Sequence, residues 1–312
     1  MLKYSSIIGS SHGLLCLHSC YLQSHDGVIR GRGMAVIWNI STRKAVAVVM
    51  PNVPHIEMCA TTLGFGVCSE TTDIKIVKIT HKIRNDYIGS RTCNPWQVEV
   101  FTLSIGAWRS SYTTNLPCKS IKFYSLQVVV DGFLYWLATE RIAMDGGLRP
   151  YNLIISFDIT SEEFGEVKLP GSLALLSIFQ LSVSKLRESL VVLEDGEDFT
   201  FFVVWMMEDG APKSFTRLFT VNSLDAIVRS VPGFRKSGEL VIEIVQHCTQ
   251  PAVYDFSLVV YEPYSKHMRN LGINGRDGSF EVYPYMETLL LHDQQNFTVY
   301  DNGRHYISKC FF

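Results

Sequence analysis

The sequence has no apolar run long enough to cross a bilayer. Its apolar stretches are strand-sized and end well short of the roughly 20 residues a spanning helix needs. The first nine residues, Met1 to Gly9, carry one charge and a brief apolar run, too little for a secretory leader. The sequons Asn39-Ile40-Ser41 and Asn296-Phe297-Thr298 are therefore expected to be chance matches. Charge of neither sign is in excess: 28 Lys and Arg stand against 30 Asp and Glu, a net charge of −2, so bulk attraction to nucleic acid or an anionic membrane is not expected. The eight cysteines, Cys16, Cys20, Cys59, Cys68, Cys93, Cys118, Cys248 and Cys310, form no C-x-x-C pair and read as reduced, mostly buried thiols of a cytoplasmic or nuclear protein. No proline-rich or charged linker divides the chain, so residues 1–312 read as one domain. Helical periodicity is nearly missing. The single candidate is Asn222 to Val231, where Leu224, Ile227, Val228 and Val231 fall at i, i+3, i+4 and i+7.

What the sequence does have is β-forming material. Apolar residues make up 47% of its 312 positions and charged ones 19%, ample for a packed core. Runs such as Val98-Glu99-Val100-Phe101-Thr102-Leu103 and Leu153-Ile154-Ile155-Ser156-Phe157-Asp158 suit strands, the second buried on both faces. One unit recurs: a buried strand with an aromatic near its end, a short polar turn, and another strand. The aromatics are Trp38, Phe101, Phe157, Trp205 and Tyr261, at spacings of 63, 56, 48 and 56 residues, whose mean of about 56 is slightly longer than a kelch blade of about 50. The third unit divides into strands Gln127–Asp131, Phe133–Ala138, Leu153–Ile159 and Phe164–Leu169. Four-stranded antiparallel units repeated in this way predict an all-β, kelch-like β-propeller of five to six blades. The segments Phe280–Asp293 and Phe297–Phe312 fit either a degenerate sixth blade or strands that join the first.

Each apparent catalytic or metal motif has a plainer reading. Gly9-Ser10-Ser11-His12-Gly13 fits the G-x-S-x-G nucleophile elbow, but that motif must open a helix. Here Leu14-Leu15-Cys16-Leu17 follows, so a hairpin turn using Gly9 and Gly13 is expected. His12, Cys16, Cys20 and His25 lack the second half-site of a zinc centre. Glu162-Glu163, Glu194-Asp195 and Glu197-Asp198 read as solvated turn carboxylates and not as acid–base pairs. Gly31-Arg32-Gly33 and Gly64-Phe65-Gly66 lack the third glycine and the helix of a dinucleotide site. Trp38, Trp136, Trp205 and Phe157 recur near the blade period, which favours inter-blade core over a ligand cage. Neither a catalytic residue nor a metal or cofactor site is therefore expected.

A series of motifs in order resembles the plant F-box-associated domain. These are Ser10-Ser11-His12-Gly13-Leu14-Leu15-Cys16-Leu17, Trp38-Asn39-Ile40-Ser41-Thr42-Arg43-Lys44, Leu63-Gly64-Phe65-Gly66, Asp73-Ile74-Lys75-Ile76-Val77, Ala107-Trp108-Arg109, Gly132-Phe133-Leu134-Tyr135-Trp136-Leu137-Ala138, Ile155-Ser156-Phe157-Asp158-Ile159-Thr160-Ser161-Glu162-Glu163-Phe164-Gly165-Glu166 and Ser214-Phe215-Thr216-Arg217-Leu218-Phe219. Ile40 and Leu63 depart from the family's proline and aromatic. The resemblance implies the substrate-binding subunit of an SCF-type (Skp–cullin–F-box) ubiquitin ligase, with a protein substrate as partner. The series begins within the first dozen residues, so the F-box itself is expected to be absent from this chain, and Skp adaptor and cullin to be partners only if an F-box is supplied upstream. The alternative, a propeller enzyme or carbohydrate-binding protein, requires convergent polar ligands at the axis or an export signal, and neither is read here.

The repeat also suggests where a partner sits. Numbering strands A to D in each unit, the C–D turns are short and polar, whereas the B–C connections His18–Gly33, His81–Pro95, Thr139–Pro150, Glu194–Asp198 and Gln246–Tyr254 look longer and irregular. Equivalent connections share a face, and irregular loops on a rigid scaffold are common reading surfaces. The expected rim residues are His25, Arg30, Arg32, Lys82, Arg84, Tyr87, Arg91, Arg141, Arg149, Glu194, Asp195, Glu197, Asp198 and His247, with the basic second and acidic fourth connections able to orient a partner.

Overall fold

The computed structural model describes residues 3–25, 28–51, 59–82, 96–110, 121–124, 127–144, 147–196, 201–222, 227–250, 253–276, 279–301 and 303–307. Five antiparallel sheets follow one another along the chain. The first comprises β1 (Lys3–Ser11), β2 (Leu14–His25), β3 (Val28–Asn39) and β4 (Lys44–Val49). The second comprises β5 (Cys59–Val67), β6 (Ile74–Lys82), β7 (Gln97–Thr102) and β8 (Ala107–Ser110). In the third, β9 (Ile121–Phe123) and β10 (Val128–Val130) both pair with β11 (Phe133–Met144), followed by β12 (Gly147–Asp158) and β13 (Phe164–Lys168). After a four-residue helix α1 (Gly171–Ala174), the fourth comprises β14 (Leu181–Leu186), β15 (Ser189–Asp195), β16 (Phe201–Glu208) and β17 (Ser214–Asn222). The fifth comprises β18 (Val228–Phe234), β19 (Leu240–Gln250), β20 (Val253–Glu262) and β21 (His267–Gly275). The last strands, β22 (Thr298–Asp301) and β23 (Arg304–Ile307), join the first sheet, β22 pairing in parallel with β4. These five sheets are the blades of an all-β propeller, and the C-terminal strands build no sixth.

The chain divides into two compact units. Unit 1 holds Met1–Tyr135, Ile155–Gly165 and Tyr285–Phe312, and unit 2 holds Trp136–Ile154 and Glu166–Pro284. In unit 1 the first strands β1, β5 and β10 are neighbours, and in unit 2 β14 and β18 are, the arrangement by which propeller blades meet along their innermost strands. Strand alternation sets each core. In unit 1, Ile37 and Ala35 point with Val46 and Val48 into a cluster completed by Phe65, Ile76 and Phe101. In unit 2, Val191, Leu193, Val204, Leu240, Ile242 and Tyr261 form the corresponding cluster. Among the described residues no helix is long and apolar enough to cross a membrane.

The turns explain the recurring motifs. Between β1 and β2, His12 and Gly13 have φ of 50° and 79°, a two-residue I′ turn that suits the right-handed strand twist. Gly9 is not part of it. It lies within β1, where an added Cβ would come 2.3 Å from Gln127 Nε2. Gln127 there acts as a substitute strand partner, accepting from Phe65 N–H and donating to Phe65 O. The C–D turns of sheets one, two, three and five share one form. A left-handed residue, Arg43, Gly106, Glu162 or Lys266, stands four positions after the polar end of the third strand, Asn39, Thr102, Asp158 or Glu262. Asn39 Oδ1 accepts from Thr42 N–H, Asp158 Oδ1 from Thr160 and Ser161 N–H, and the Glu262 carboxylate from Tyr264 and Ser265 N–H.

Three expectations change. The helical pattern at Asn222 to Val231 gives way to strands: Asn222 ends β17 and Val228–Phe234 is β18, because Val228 and Val231 gain more by packing on the β19 core than a lone short helix would. Trp38 is 37% exposed, since alternation turns its neighbour Ile37 inward instead, and Trp205 is only half-buried; Trp136 and Phe157 are fully buried as expected. The connections His18–Gly33, Thr139–Pro150 and Gln246–Tyr254 are mostly strand, in the pairs β2–β3, β11–β12 and β19–β20; the first runs in register to His25↔Val28, whereas the last is irregular as expected, with register shifts between Val245 and Cys248 and between Cys248 and Gln250.

Candidate functional site

The anticipated rim is only partly within the described residues. Arg84, Tyr87, Arg91, Glu197 and Asp198 lie outside them. His25, Arg30, Arg32, Lys82 and His247 have described backbone in β2, β3, β3, β6 and β19, but their side chains lie outside. Arg141 and Arg149 are exposed on the β11–β12 hairpin. Glu194 is half-buried and accepts the Trp205 indole N–H at 2.8 Å, which fixes both side chains across the β15–β16 pair. Asp195 beside it is also half-buried. Burial raises its carboxyl to about 6, against a downward pull from Arg229.

A concave site lies at the opposite strand ends of unit 1, where A–B and C–D turns gather. A cleft of about 1050 Å³ is floored by Val67, Ile74 and Leu103 and edged by the β5–β6 turn, the β7–β8 turn and a strap, Met286–Gln294. The strap is firmly held. Asn39 Nδ2 donates to Thr288 O at 3.0 Å and Leu290 O at 2.6 Å, Lys44 Nζ donates to Gln294 O at 3.2 Å, and Leu291 is buried in the core. Gly13 is required here, because a Cβ would meet Met286 O at 2.1 Å and the residue's φ is 79°. The first sequon is thus a clasp: the Asn39 side chain is fully buried and committed to the strap and the Thr42 turn. In the second, Asn296 Oδ1 accepts from Ala45 N–H at 2.9 Å.

Beside the cleft lies a buried charge group. Lys75 Nζ donates to Glu162 Oε1 at 2.8 Å and to Ile159 O at 2.6 Å, and Arg109 pairs with the same Glu162 oxygen. Glu162 was expected to be a solvated turn carboxylate. It is buried instead, because its left-handed φ of 62° turns the side chain toward Lys75 on the neighbouring sheet. Next to it, Cys68 Sγ lies 3.5 Å from Thr160 Oγ1. Burial works to raise this thiol, but hydrogen bonds from the Thr160 and Thr71 side chains and the Thr71 and Glu70 backbone bring it down to about 7. Buried Cys16, with only desolvation acting, moves strongly up. A lysine flanked by isoleucines in Ile74-Lys75-Ile76 was the one sequence signal for this group, since a charge inside a buried strand requires a partner.

The profile of the "F-box associated beta propeller domain" matches residues 27–244. Among curated Arabidopsis thaliana proteins, "F-box protein CPR1" is 26% identical over 239 residues, which cover 73% of this chain and 55% of that protein. "F-box/kelch-repeat protein At3g23880" is 24% identical over 233 residues, covering 72% and 55%. The chain thus spans about half the length of the curated relatives it matches. A solved acylaminoacyl peptidase of Pyrococcus horikoshii overlays 86% of this chain and 40% of its own, at 12% identity and a TM-score of 0.45. With the family profile covering more than two thirds of its length, this chain belongs to the F-box associated beta propeller domain family.

Proposed function

We propose that these 312 residues form a single protein-recognition domain, the substrate-reading part of an SCF-type ubiquitin ligase receptor. The family match over residues 27–244 carries this reading, and the F-box proteins among its relatives support it. The domain performs no catalysis of its own and uses no cofactor. Its partner is a protein substrate rather than nucleic acid or membrane, and it works in the cytoplasm or nucleus. Adaptor and cullin binding belong to an F-box joined upstream, and substrate reading to the propeller.

The test is calorimetric and then functional. Titrated with a Skp adaptor, the 312-residue chain gives no binding heat, and the same chain with an F-box fused to its N-terminus binds. Tight adaptor binding by the bare chain would place the adaptor site in the propeller and overturn the division of labour. Ubiquitin-remnant profiling of cells with and without the fused receptor then identifies its substrates. Glycan binding or substrate turnover by the purified chain would favour the carbohydrate-binding or enzyme reading instead. The charges of the second B–C connection are proposed to steer approach. Reversing Lys82, Arg84 and Arg91 together slows association and weakens its salt dependence. An unchanged association rate removes the steering role.

A further inference from the structure

We infer that the unit 1 cleft is the seat of a short linear motif of the partner, an extended segment with one or two large apolar side chains and a carboxylate beside them. This rests on the substrate-receptor reading and adds the site and the chemistry it selects. The cleft is at the upper end of the usual size of ligand clefts, about 300–1,000 Å³. It is apolar along its floor, and large apolar side chains stand exposed on both edges: Ile105, 63% exposed, on the β7–β8 turn, and Leu289, 76% exposed, on the strap. Apolar groups facing each other across an open groove are what an extended peptide covers. Because Asn39 and Leu291 already fix the strap, binding spends little on ordering it.

The Arg109 guanidinium selects the motif's second feature. Lys75 and Arg109 share the carboxylate of Glu162, and Asp73 at the same edge offsets the remaining charge, so what the edge offers is not net charge but a cation with hydrogen-bond donors to spare. The Lys75 ammonium is turned away onto Ile159 O and Glu162, but the Arg109 side chain is 46% exposed and lines the cleft. Among the described residues its guanidinium engages Glu162 alone, and its remaining N–H donors suit a carboxylate. Asp73, at the same edge, does not compete for it: its carboxylate accepts from Ile74 N–H, Ser104 N–H and the Ser104 hydroxyl. The other acidic lining residue, Asp293, is exposed on the strap.

The probes are synthetic eight-residue peptides carrying Leu-Leu followed one to four residues later by Glu, each with a Gln twin, read by fluorescence polarisation. At least one Glu peptide binds, and its Gln twin binds about 10-fold more weakly or worse. Arg109→Gln brings the twins together. Leu289→Asp, at a site too exposed to affect folding, weakens both about 10-fold with an unchanged melting temperature. Twins that bind alike, a Glu preference that survives Arg109→Gln, or no Glu peptide bound at about 1 mM would each overturn the assignment. In the F-box-fused receptor, Leu289→Asp abolishes ubiquitination of the substrates found by profiling and leaves adaptor assembly intact. Undiminished ubiquitination would remove the cleft and keep the receptor, whereas a wild-type fusion that never engages the adaptor would remove the receptor reading itself.

Discussion

Replacing Glu162 by glutamine keeps its shape and its left-handed turn but removes the one negative charge that Lys75 and Arg109 share. At 2.8 Å and an effective dielectric of about 20, the gross Lys75–Glu162 attraction is about 6 kcal/mol. Desolvation of the two ions offsets most of it, so the intact pair adds little net stability. Breaking it is different, because the Lys75 ammonium then remains buried with two neutral acceptors, Ile159 O and the new amide oxygen, and no countercharge. Glu162→Gln should therefore cost about 3–5 kcal/mol, the usual penalty for an orphaned buried charge. At about 2 °C per kcal/mol for a chain of this size, that is a fall of roughly 6–10 °C in melting temperature. Lys75→Met should cost less, since Glu162 keeps Arg109. In the double variant no charge is stranded, so its cost should fall below the sum of the two single costs by about 2 kcal/mol. Differential scanning calorimetry of the four proteins measures this. Additive costs, or a Glu162→Gln shift under about 2 °C, would show that the group is hydrated and that the buried-charge argument is wrong.

Three further expectations concern stability. Trp136 is completely buried in β11, so Trp136→Ala should cost about 3–5 kcal/mol, and a thermal shift of only a degree or two would contradict that packing. Asp195 has a folded value of about 6 against an ordinary 3.8, so its protonated form stabilises the fold fully below pH 3.8, and this is lost as pH rises through 6. Asp195→Asn should raise the melting temperature at pH 7.5 and flatten its slope between pH 4 and 7; an unaltered slope would mean a hydrated carboxylate. Lys266 holds a φ of 55° at an exposed turn, so Lys266→Gly removes a left-handed penalty of about 1–2 kcal/mol, partly offset by glycine's entropy. A rise of about 1–2 °C is expected on thermal melting, and a fall would refute the strain argument.

Repeats were readable in the sequence because a blade is a local object. Alternation, the aromatic at the end of each third strand and the polar residue after it all depend on neighbours within a few positions, and the C–D turns of four sheets follow that rule. Family membership was readable for the same reason, being carried by short ordered motifs. Helical spacing misled where two periods compete, as at Val228 and Val231, which fit a helix face but pack on the β19 core. Irregular composition in the B–C connections suggested loops, yet strand pairing extends through three of them, since ladder hydrogen bonds continue wherever two chains already run side by side. The cleft was not readable at all. Its lining comes from the β5–β6 and β7–β8 turns and from a strap more than 170 residues further along the chain, and its charge group joins Lys75 to Glu162, 87 residues away. Asn39 looked like the start of a sequon and proved to be the clasp of that strap, 249 residues from Thr288. Local patterning settled which residues form strands and turns; only tertiary packing decided which distant side chains share one buried charge and which exposed apolar groups face each other across a groove.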